Sequence, residues 1–378
     1  MPDSITIRIE KYANGGFGLG FHDGKAIFVP YCTPGDRLQV SITDNRKNHA
    51  FALIDDIITP SPLRVTPECP NFGQCGGCHF LHVDYEEELN AKSGLLKETL
   101  LRIGRIPEED IPGIEVIHGG RYQYRTHATL QCDTNGIGFF KRESHTVEPF
   151  PPGGCRLLAL PITGGLENID HPGNTELKTA IDSEGRCHFS KGEHETITEI
   201  EKGITYQRDI YSFFQANGKL RSTMLQLASD MCRVDEEKSF IDIGCGVGFF
   251  TLYLARHARK GTGIDIVQDS IRWADHNASL NNIENVEFHR LHGDMLHPYR
   301  EQYHTVLVDP PRQGLSTKTR KTIKAMSPVD ILYVSCNPVT FARDNGDLID
   351  SGYNLKRLVM LDMFPGTHHT EVMGLLTR

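Results

Sequence analysis

The first part of the chain alternates apolar and polar residues. Ile5, Ile7 and Ile9 are each followed by a polar residue, and this period of two predicts a half-buried β-strand. Three further short strands are predicted, separated by turns that contain glycine or proline, at 26–29, 38–43 and 51–54. Several short strands joined in this way predict a small β-barrel of the OB type over residues 1–58.

The basic residues of this barrel have two interpretations. Lys25, Arg46, Lys47 and His49 could contact RNA or DNA phosphates, because OB-like barrels often bind nucleic acid. They could equally form the solvated rim of a structural barrel. The pattern leaves both open.

The pattern changes twice after the barrel. Leucines at helical spacing predict a core-packing helix at 85–106, and short β-like runs broken by glycine and proline follow over 110–205. From about residue 206, strands and helices alternate, which is typical of a doubly wound parallel sheet. We therefore predict three domains: a barrel at 1–58, a small central β domain at 59–205 and a Rossmann-like α/β domain at 206–378.

The composition is that of an ordinary cytosolic protein. No apolar run among the 378 residues approaches the roughly 20 that span a bilayer, and the start lacks the basic and apolar regions of a signal peptide. We therefore expect no membrane association, a cytoplasmic location and a monomer. The net charge of −9 does not favour nucleic acid as a partner, although the local field of a cleft decides such binding.

Four of the ten cysteines form a pattern. Cys69, Cys75 and Cys78 fall within ten residues of a glycine-rich loop, and Cys155 follows a second pair of glycines. Four thiolates suit either a tetrahedral zinc ion or a [4Fe–4S] cluster. Zinc sites usually use two Cys-x-x-Cys pairs, whereas this chain has one pair and two separate cysteines. The asymmetry favours iron–sulfur.

Carboxylates at successive predicted strand ends indicate a methyl-donor site. An apolar strand containing Asp242 runs into a Gly-x-Gly-x-Gly turn at 244–248, a shorter spacing than that of dinucleotide-binding folds and one that resembles S-adenosylmethionine enzymes. Asp265 ends the next strand, where it could accept hydrogen bonds from ribose hydroxyls. Asp294 is a candidate for the adenine amine, and Asp309 opens the motif Asp-Pro-Pro-Arg.

Cys336 is the candidate nucleophile. It follows a buried apolar strand, in the motif Ser-Cys-Asn-Pro at 335–338. Pyrimidine C5 attacks a sulfonium methyl only after a thiolate has added to C6, and a base must then remove the C5 proton. Glu371, His368 and His369 are equal candidates for that base.

Together these motifs resemble those of the RNA uracil-C5 methyltransferases, in particular the iron–sulfur-containing branch that modifies 23S ribosomal RNA. Residues 1–58 look like that family's RNA-binding TRAM domain. The cysteine set is similar to the branch's [4Fe–4S] ligands, namely Cys69, Cys75, Cys78 and Cys155. The segment 211–217 resembles the family's Phe-x-Gln-x-Asn motif, and 309–312, 335–338 and 362–371 resemble its remaining signatures.

The resemblance implies an activity and a set of site residues. It implies S-adenosylmethionine-dependent methylation of uracil C5, most simply in 23S rRNA, with Cys336 as nucleophile and Glu371 as base. The implied cofactor contacts are Gln215, Gly244, Asp265 and Asp309. The chain departs from the family at Gly244, where an aromatic residue is common, and in a compact middle region.

Two other functions stay open at this point. One is a uracil-C5 methyltransferase of transfer RNA, although the complete cysteine set argues against the transfer-RNA branch that lacks the cluster. The other is a metal-stabilised RNA-binding protein without catalysis, against which the intact Cys336 and Glu371 weigh.

Overall fold

The computed structural model of the protein describes residues 4–169, 173–296 and 302–378. Residues 1–3 lie outside the described residues. They belong to the N-terminal segment from which the sequence analysis expects no signal peptide. Within the described residues the chain forms a closed barrel, two antiparallel sheets and one eight-stranded sheet. No helix in this part of the chain is long and apolar enough to cross a membrane.

The predicted barrel is confirmed as a closed five-stranded structure with the order β1-β2-β3-β5-β4. Its strands are β1 (Ser4–Ala13), β2 (Phe17–His22), β3 (Lys25–Pro30), β4 (Arg37–Asn45) and β5 (His49–Thr59). Ile5, Ile7 and Ile9 point inward, as their alternation predicts, and pack against residues such as Val29 and Leu38. Burying these side chains provides the barrel's hydrophobic stabilisation.

The central region is mostly antiparallel. It contains α1 (Tyr85–Arg102), β6 (Ile114–His118), β7 (His127–Asp133), β8 (Gly136–Phe140), β9 (Val147–Pro149), α2 (Leu160–Gly165), β10 (Thr175–Ile181), β11 (Cys187–Ser190), β12 (Thr196–Glu201) and β13 (Ile204–Asp209). Five strands form a sheet in the order β11-β10-β7-β8-β9, and β12 and β13 form a hairpin. Leu130, Leu158, Ile162 and Leu177 make a small core of their own.

The last part of the chain is the predicted doubly wound fold. Its elements are α3 (Arg221–Cys232), β14 (Ser239–Ile243), α4 (Phe249–Ala255), β15 (Lys260–Asp265), α5 (Gln268–Leu280), β16 (Val286–Arg290), β17 (Thr305–Val308), α6 (Thr317–Met326), β18 (Asp330–Ser335), α7 (Pro338–Ile349), β19 (Asn354–Asp362) and β20 (Glu371–Thr377). The sheet order is β16-β15-β14-β17-β18-β20-β19-β6. Strand β20 runs antiparallel to both neighbours, so its first residue lies at the carboxyl edge of the parallel strands.

Two elements from before residue 206 complete this sheet. Strand β6 pairs in parallel with β19, where Ile114 lies opposite Leu358. Helix α1 places Leu96 and Leu100 in the same core as Phe341 of α7. The helix predicted to reach residue 106 ends at Arg102. The predicted domain boundaries at residues 58 and 205 stay a proposal. Helix α1 and strand β6 come from the predicted central domain but pack with the C-terminal sheet.

Candidate active site

Three residues predicted to bind the methyl donor lie at the carboxyl edge of the eight-stranded sheet. Asp265 is the last residue of β15, and Asp309 follows the end of β17. Gly244 follows β14, which lies between those two strands. The winding reverses between β14 and β17, and open α/β sheets bind ligands in the crevice at such a point.

The backbone requires glycine at position 244. Its φ of 91° lies in the left-handed region, which disfavours residues with a side chain. A Cβ here would lie 2.5 Å from the carbonyl oxygen of Asp309. Gly244 thus lets the turn after β14 approach the turn after β17.

A buried carboxyl group, that of Asp242, and a half-buried one, that of Asp309, lie beside this turn. Burial raises the pKa of Asp242 to about 7. Burial, and then the negative charges of Asp242 and Asp265, raise the pKa of Asp309 to about 8. Because like charges crowd one another here, a cation bound nearby would lower these pKa values and be stabilised by the ionised carboxylates.

The other two carboxylates that were predicted to contact the methyl donor, Asp265 and Asp294, form hydrogen bonds within the chain. Asp265 accepts hydrogen bonds from the N–H groups of Gly246 at 3.0 Å and Val267 at 2.8 Å. A carboxylate has further lone pairs, so Asp265 can still accept from a ribose. Asp294 accepts from the Thr319 hydroxyl at 2.9 Å, which fastens it to the start of α6.

The segment 211–217 packs against the loop that precedes β20. Asn217 is buried and donates from Nδ2 to the carbonyl oxygens of Asp362 at 3.4 Å and Met363 at 3.2 Å. Gln215 is also buried, and its carbonyl oxygen accepts from Nε of Arg221 at 2.6 Å. Its contact with the methyl donor stays a prediction.

Cys336 and Glu371 lie next to each other on neighbouring strands. Ser335 is opposite Val372 in the antiparallel β18–β20 pair. Cys336 follows Ser335 and Glu371 precedes Val372, so Cys336 and Glu371 face each other. Burial and then the charge of Glu371 raise the pKa of the Cys336 thiol to about 11. Burial, followed by the charge of Asp309, raises the pKa of Glu371 well above its usual value. The structure thus brings the predicted nucleophile and one predicted base together.

Arg312 supplies the positive charge beside Cys336. Its guanidinium opposes burial and lowers the pKa of the thiol both through its charge and through a hydrogen bond. It also donates to Nε2 of His369 at 3.1 Å, and its own carbonyl oxygen accepts from Nδ2 of Asn337 at 2.8 Å. The sequence marked Arg312 only as a variation of a motif, so its contact with Cys336 was missed.

Three histidines form a row that ends at Arg312. Ring nitrogens of His79 and His368 lie 3.3 Å apart, and the rings of His368 and His369 are 4.1 Å apart between centroids. Burial lowers the pKa of His79 to about 3, of His368 to about 4 and of His369 to about 2. Such histidines are weak proton acceptors near neutral pH, whereas burial raises the pKa of Glu371 and makes its carboxylate a stronger proton acceptor. The comparison favours Glu371 as the base.

A cleft of about 250 Å³ opens at Cys336. The loops that carry Arg312 and His369 form one wall. Lys92 of α1 lines a second side, and Gly15 and Gly16, in the turn between β1 and β2, line a third. The N-terminal barrel therefore borders the site, although it is more than 300 residues away in sequence.

The four predicted metal-binding cysteines lie close together beneath this site. The charges of Cys155, Cys75 and Cys69 all add to burial in raising the pKa of Cys78. Its Sγ would be 3.8 Å from a Cβ on Gly366, in the loop before β20. All four thiols are free of disulfides. Among the described residues, no group of three or more Cys, His, Asp or Glu has its side chains arranged to hold a metal ion.

A buried ion network was not predicted. Lys92 donates to Glu88 and to Asp362, each at 2.7 Å, and is 1% exposed. Glu88 also accepts from the N–H of Gly366 at 2.6 Å. A Glu–Lys pair four residues apart normally lies on the wet face of a helix, so the sequence contained no signal for burial. The network fixes α1 against the loop that leads to Glu371.

Two known family descriptions match the chain. That of the tRNA (Uracil-5-)-methyltransferases matches residues 192–378, which include all strands of the large sheet except β6. That of the TRAM domain of tRNA (uracil(54)-C(5))-methyltransferase matches residues 5–63, which hold the barrel.

Curated relatives match over nearly the full length. The 23S rRNA (uracil(1939)-C(5))-methyltransferase RlmD of Aeromonas hydrophila is 30% identical, covering 100% of this chain and 97% of its own. The RlmD of Salmonella typhi is 32% identical, with 99% and 96% covered. The alignments extend over 432 and 424 positions, so these relatives contain segments that this chain of 378 residues lacks.

A solved structure supports the same fold. The Pyrococcus abyssi tRNA (uracil-54, C5)-methyltransferase, in complex with S-adenosyl-L-homocysteine, superposes with a TM-score of 0.76 at 24% identity, covering 99% of this chain and 100% of the other. The predicted fold class is therefore confirmed, with an α/β methyltransferase domain behind an OB-like barrel. From the full-length relatives and the two matching descriptions, the chain belongs to the S-adenosylmethionine-dependent RNA uracil-C5 methyltransferase family and is an enzyme of that class.

Proposed function

We propose that this protein methylates C5 of uridine in 23S rRNA through a covalent bond between Cys336 and C6 of the ring. The observation that carries the proposal is the placement of Cys336, which follows the end of β18, beside Glu371 at the start of β20, with Arg312 at the cleft that Cys336 lines. A nucleophile and a cation that line one cleft, with a base directly beside the nucleophile, are the groups that this chemistry needs.

The covalent step begins at Cys336. Its thiol must lose a proton, and the Arg312 guanidinium favours the thiolate against the effects of burial and of Glu371. The thiolate electron pair forms the S–C6 bond, and the C5=C6 electrons move into an enolate that makes C5 nucleophilic. When bound, S-adenosylmethionine would supply the electrophilic methyl group that C5 takes, with the S–CH3 electrons staying on sulfur and S-adenosylhomocysteine as the leaving group.

Glu371 completes the reaction as the base. Its carboxylate removes the C5 proton, and the released electron pair restores C5=C6 while the S–C6 bond breaks. The raised pKa makes this carboxylate a stronger proton acceptor than an exposed glutamate. Its burial keeps competing water away from the proton that it must take.

The donor is proposed to occupy the crevice at β14, β15 and β17. Asp265 would accept from the ribose, and the turn at Gly244 leaves room for the close approach of a nucleoside. The carboxyl of Asp309 lies where a sulfonium cation would be stabilised. Gln215 is included on the family resemblance of its segment.

Ribosomal RNA is preferred over transfer RNA as the substrate because full-length relatives at 30–32% identity are named for 23S rRNA. We expect the purified enzyme to methylate unmodified 23S rRNA at least about 10-fold faster than unmodified tRNA, a difference of roughly 1.4 kcal/mol in transition-state binding. Transfer of a labelled methyl group, followed by mapping of 5-methyluridine, measures it. Faster methylation of tRNA would establish the transfer-RNA function instead.

The domain roles, location and oligomeric state follow the same reasoning and stay predictions. The barrel at 1–58 and the central region at 59–205 are proposed to hold RNA, and 206–378 to catalyse methyl transfer. A cytoplasmic monomer is the simplest form for such an enzyme.

We also propose that Cys69, Cys75, Cys78 and Cys155 bind a [4Fe–4S] cluster with a structural role. The donor set fits, because four thiols lie within range of one another's charges and fourfold thiolate ligation is what such clusters use. Binding would require the side chains to turn toward a common centre. A cluster here would link the loop at 69–78 to Cys155 beside the loop before β20.

Replacement of one ligand tests the cluster. We expect Cys75→Ser to lose most of the iron, the acid-labile sulfide and the visible absorbance of anaerobically purified protein, because three thiolates hold the cluster weakly. Cys187→Ser, which changes a half-buried thiol outside the loop, is the matched control and should keep all three. Stoichiometric zinc without iron in the unaltered protein would contradict the iron–sulfur assignment.

A further inference from the structure

The outer side of the barrel carries aromatic residues where a water-facing sheet normally carries polar ones. On β3 and β5 the inward residues are Ile27, Val29, Ala50 and Ala52, all buried. The residues between them, Phe28 and Phe51, point outward and lie opposite each other across the strands. Both are partly exposed. We call Phe17, Phe28, His49 and Phe51 the barrel aromatic face.

The rings of the barrel aromatic face form one continuous surface. The centroid of Phe51 lies 5.5 Å from that of Phe17 and 5.5 Å from that of Phe28. His49 lies 5.8 Å from Phe28 and 5.5 Å from Phe51. These spacings are those of interacting aromatic pairs, so each ring supports its neighbours. Phe21, on the same side of β2, is 46% exposed.

Positive charge borders the barrel aromatic face. The guanidinium of Arg46 lies 5.5 Å from the centroid of Phe51, and that of Arg142 lies 5.0 Å from the centroid of Phe17. Arg46 also pairs with Asp44, but an exposed pair of this kind contributes little. Aromatic rings beside arginines are the combination with which proteins bind single-stranded nucleic acid. Arg142 pairs with Glu143 and its side chain is only 17% exposed, so Arg46 is the arginine beside this face that a phosphate can reach.

The barrel aromatic face begins at the rim of the Cys336 cleft. Gly15 and Gly16 line that cleft, and Phe17 is the next residue along the chain. A Cβ on Gly15 would lie 3.1 Å from the ring of Phe17. An RNA strand that leaves the cleft on this side therefore meets the rings directly.

We propose that the barrel aromatic face is a stacking site for unpaired bases next to the target uridine. The inference rests on the proposed RNA substrate and extends it to a second contact. A uridine that enters the cleft leaves its neighbours without a stacking partner. Rings at the cleft rim replace that partner, and Arg46, whose side chain is 60% exposed, neutralises an adjoining phosphate.

Binding of a short fluorescent oligouridine to the full chain tests the site. We expect Phe51→Ala to weaken binding by about 10-fold, as for the loss of one base–aromatic stack, and Phe51→Trp to restore it. Ile58→Ala removes an exposed apolar residue of the same strand outside the face and should bind like the wild type. Arg46→Ala should lower the salt dependence of log K by about 0.7, the value for one contact to single-stranded RNA.

A second probe separates stacking from damage to the barrel. An oligouridine with abasic sites beside its central nucleotide should bind wild-type protein about 10-fold more weakly, and Phe51→Ala should then cause no further loss. Binding of Phe51→Ala within twofold of wild type would overturn the site. A wild-type protein that proved to be a dimer and became a monomer on this substitution would also overturn it, because the face would then be a contact between two copies of the chain. Methylation of RNA by the wild-type enzyme in the same preparation tests the proposed function separately.

Discussion

Cys336→Ala is expected to abolish methyl transfer and to prevent any covalent complex with 5-fluorouridine RNA. Without the thiolate, C5 of uracil stays too weak a nucleophile, and loss of a covalent nucleophile lowers turnover by at least about 10⁴-fold. With 5-fluorouridine the wild-type enzyme should stop at the methylated adduct, because C5 carries fluorine in place of the proton that the base removes. Denaturing gel electrophoresis with labelled RNA shows the adduct directly.

A matched control uses a buried thiol of the same domain that lies away from the cleft. Cys232 is buried in α3, and its backbone carbonyl accepts from Thr305 at the opposite edge. Cys232→Ala should therefore keep the adduct and measurable turnover. An adduct formed by Cys336→Ala would show that the nucleophile is a different residue.

Adduct formation by the wild-type enzyme should also accelerate as the pH rises from neutral. The thiol has a pKa of about 11, so its reactive thiolate is a small fraction at neutral pH and grows with each step toward that pKa. The rate of adduct formation rises with pH because the group with the raised pKa, the Cys336 thiol, must lose its proton to react.

Glu371→Gln is expected to let the covalent adduct form but not resolve. The amide keeps the shape of the side chain, yet it cannot accept the C5 proton, so turnover should fall by about 10²- to 10⁴-fold. With ordinary uridine RNA the variant should accumulate a methylated protein–RNA complex that the wild type resolves. Mass spectrometry of the complex distinguishes a methylated adduct from one that has not received the methyl group.

Asp330→Asn is the corresponding control. Asp330 is a buried carboxylate that opens β18, at the edge of the sheet opposite Cys336. Its replacement should leave adduct resolution intact. Normal turnover by Glu371→Gln would reject Glu371 as the base, and His369 would then be the next candidate because it contacts Arg312 at the same cleft.

The sequence predicted those features that depend on short-range patterns. Alternation at Ile5, Ile7 and Ile9 predicted the inward face of the barrel, since a strand has a period of two. Asp265 and Asp309 were predicted to lie at the same edge of the sheet, because both stand at the ends of strands and parallel strands place their carboxyl ends together.

Features that depend on distant pairing were not predictable. The antiparallel insertion of β20 between β18 and β19 brings Glu371 opposite Cys336, and no local pattern specifies this register. For the same reason, the sequence did not predict that the barrel lines the cleft through Gly15 and Gly16. The burial of Lys92 was not predictable because Lys92 and Glu88 are four residues apart, the spacing of an ion pair on the surface of a helix.

The addition of β6 to the far edge of the large sheet has a consequence for biosynthesis. Its partner β19 is encoded roughly 240 residues later, so at about 5–20 residues per second the ribosome needs on the order of 12–50 s to make it. Throughout that interval β6 has no partner strand, and of the catalytic pair Cys336 is made only near its end and Glu371 after it. The catalytic pair therefore assembles late in translation, and shielding of the waiting edge by a chaperone would protect the nascent chain from aggregation.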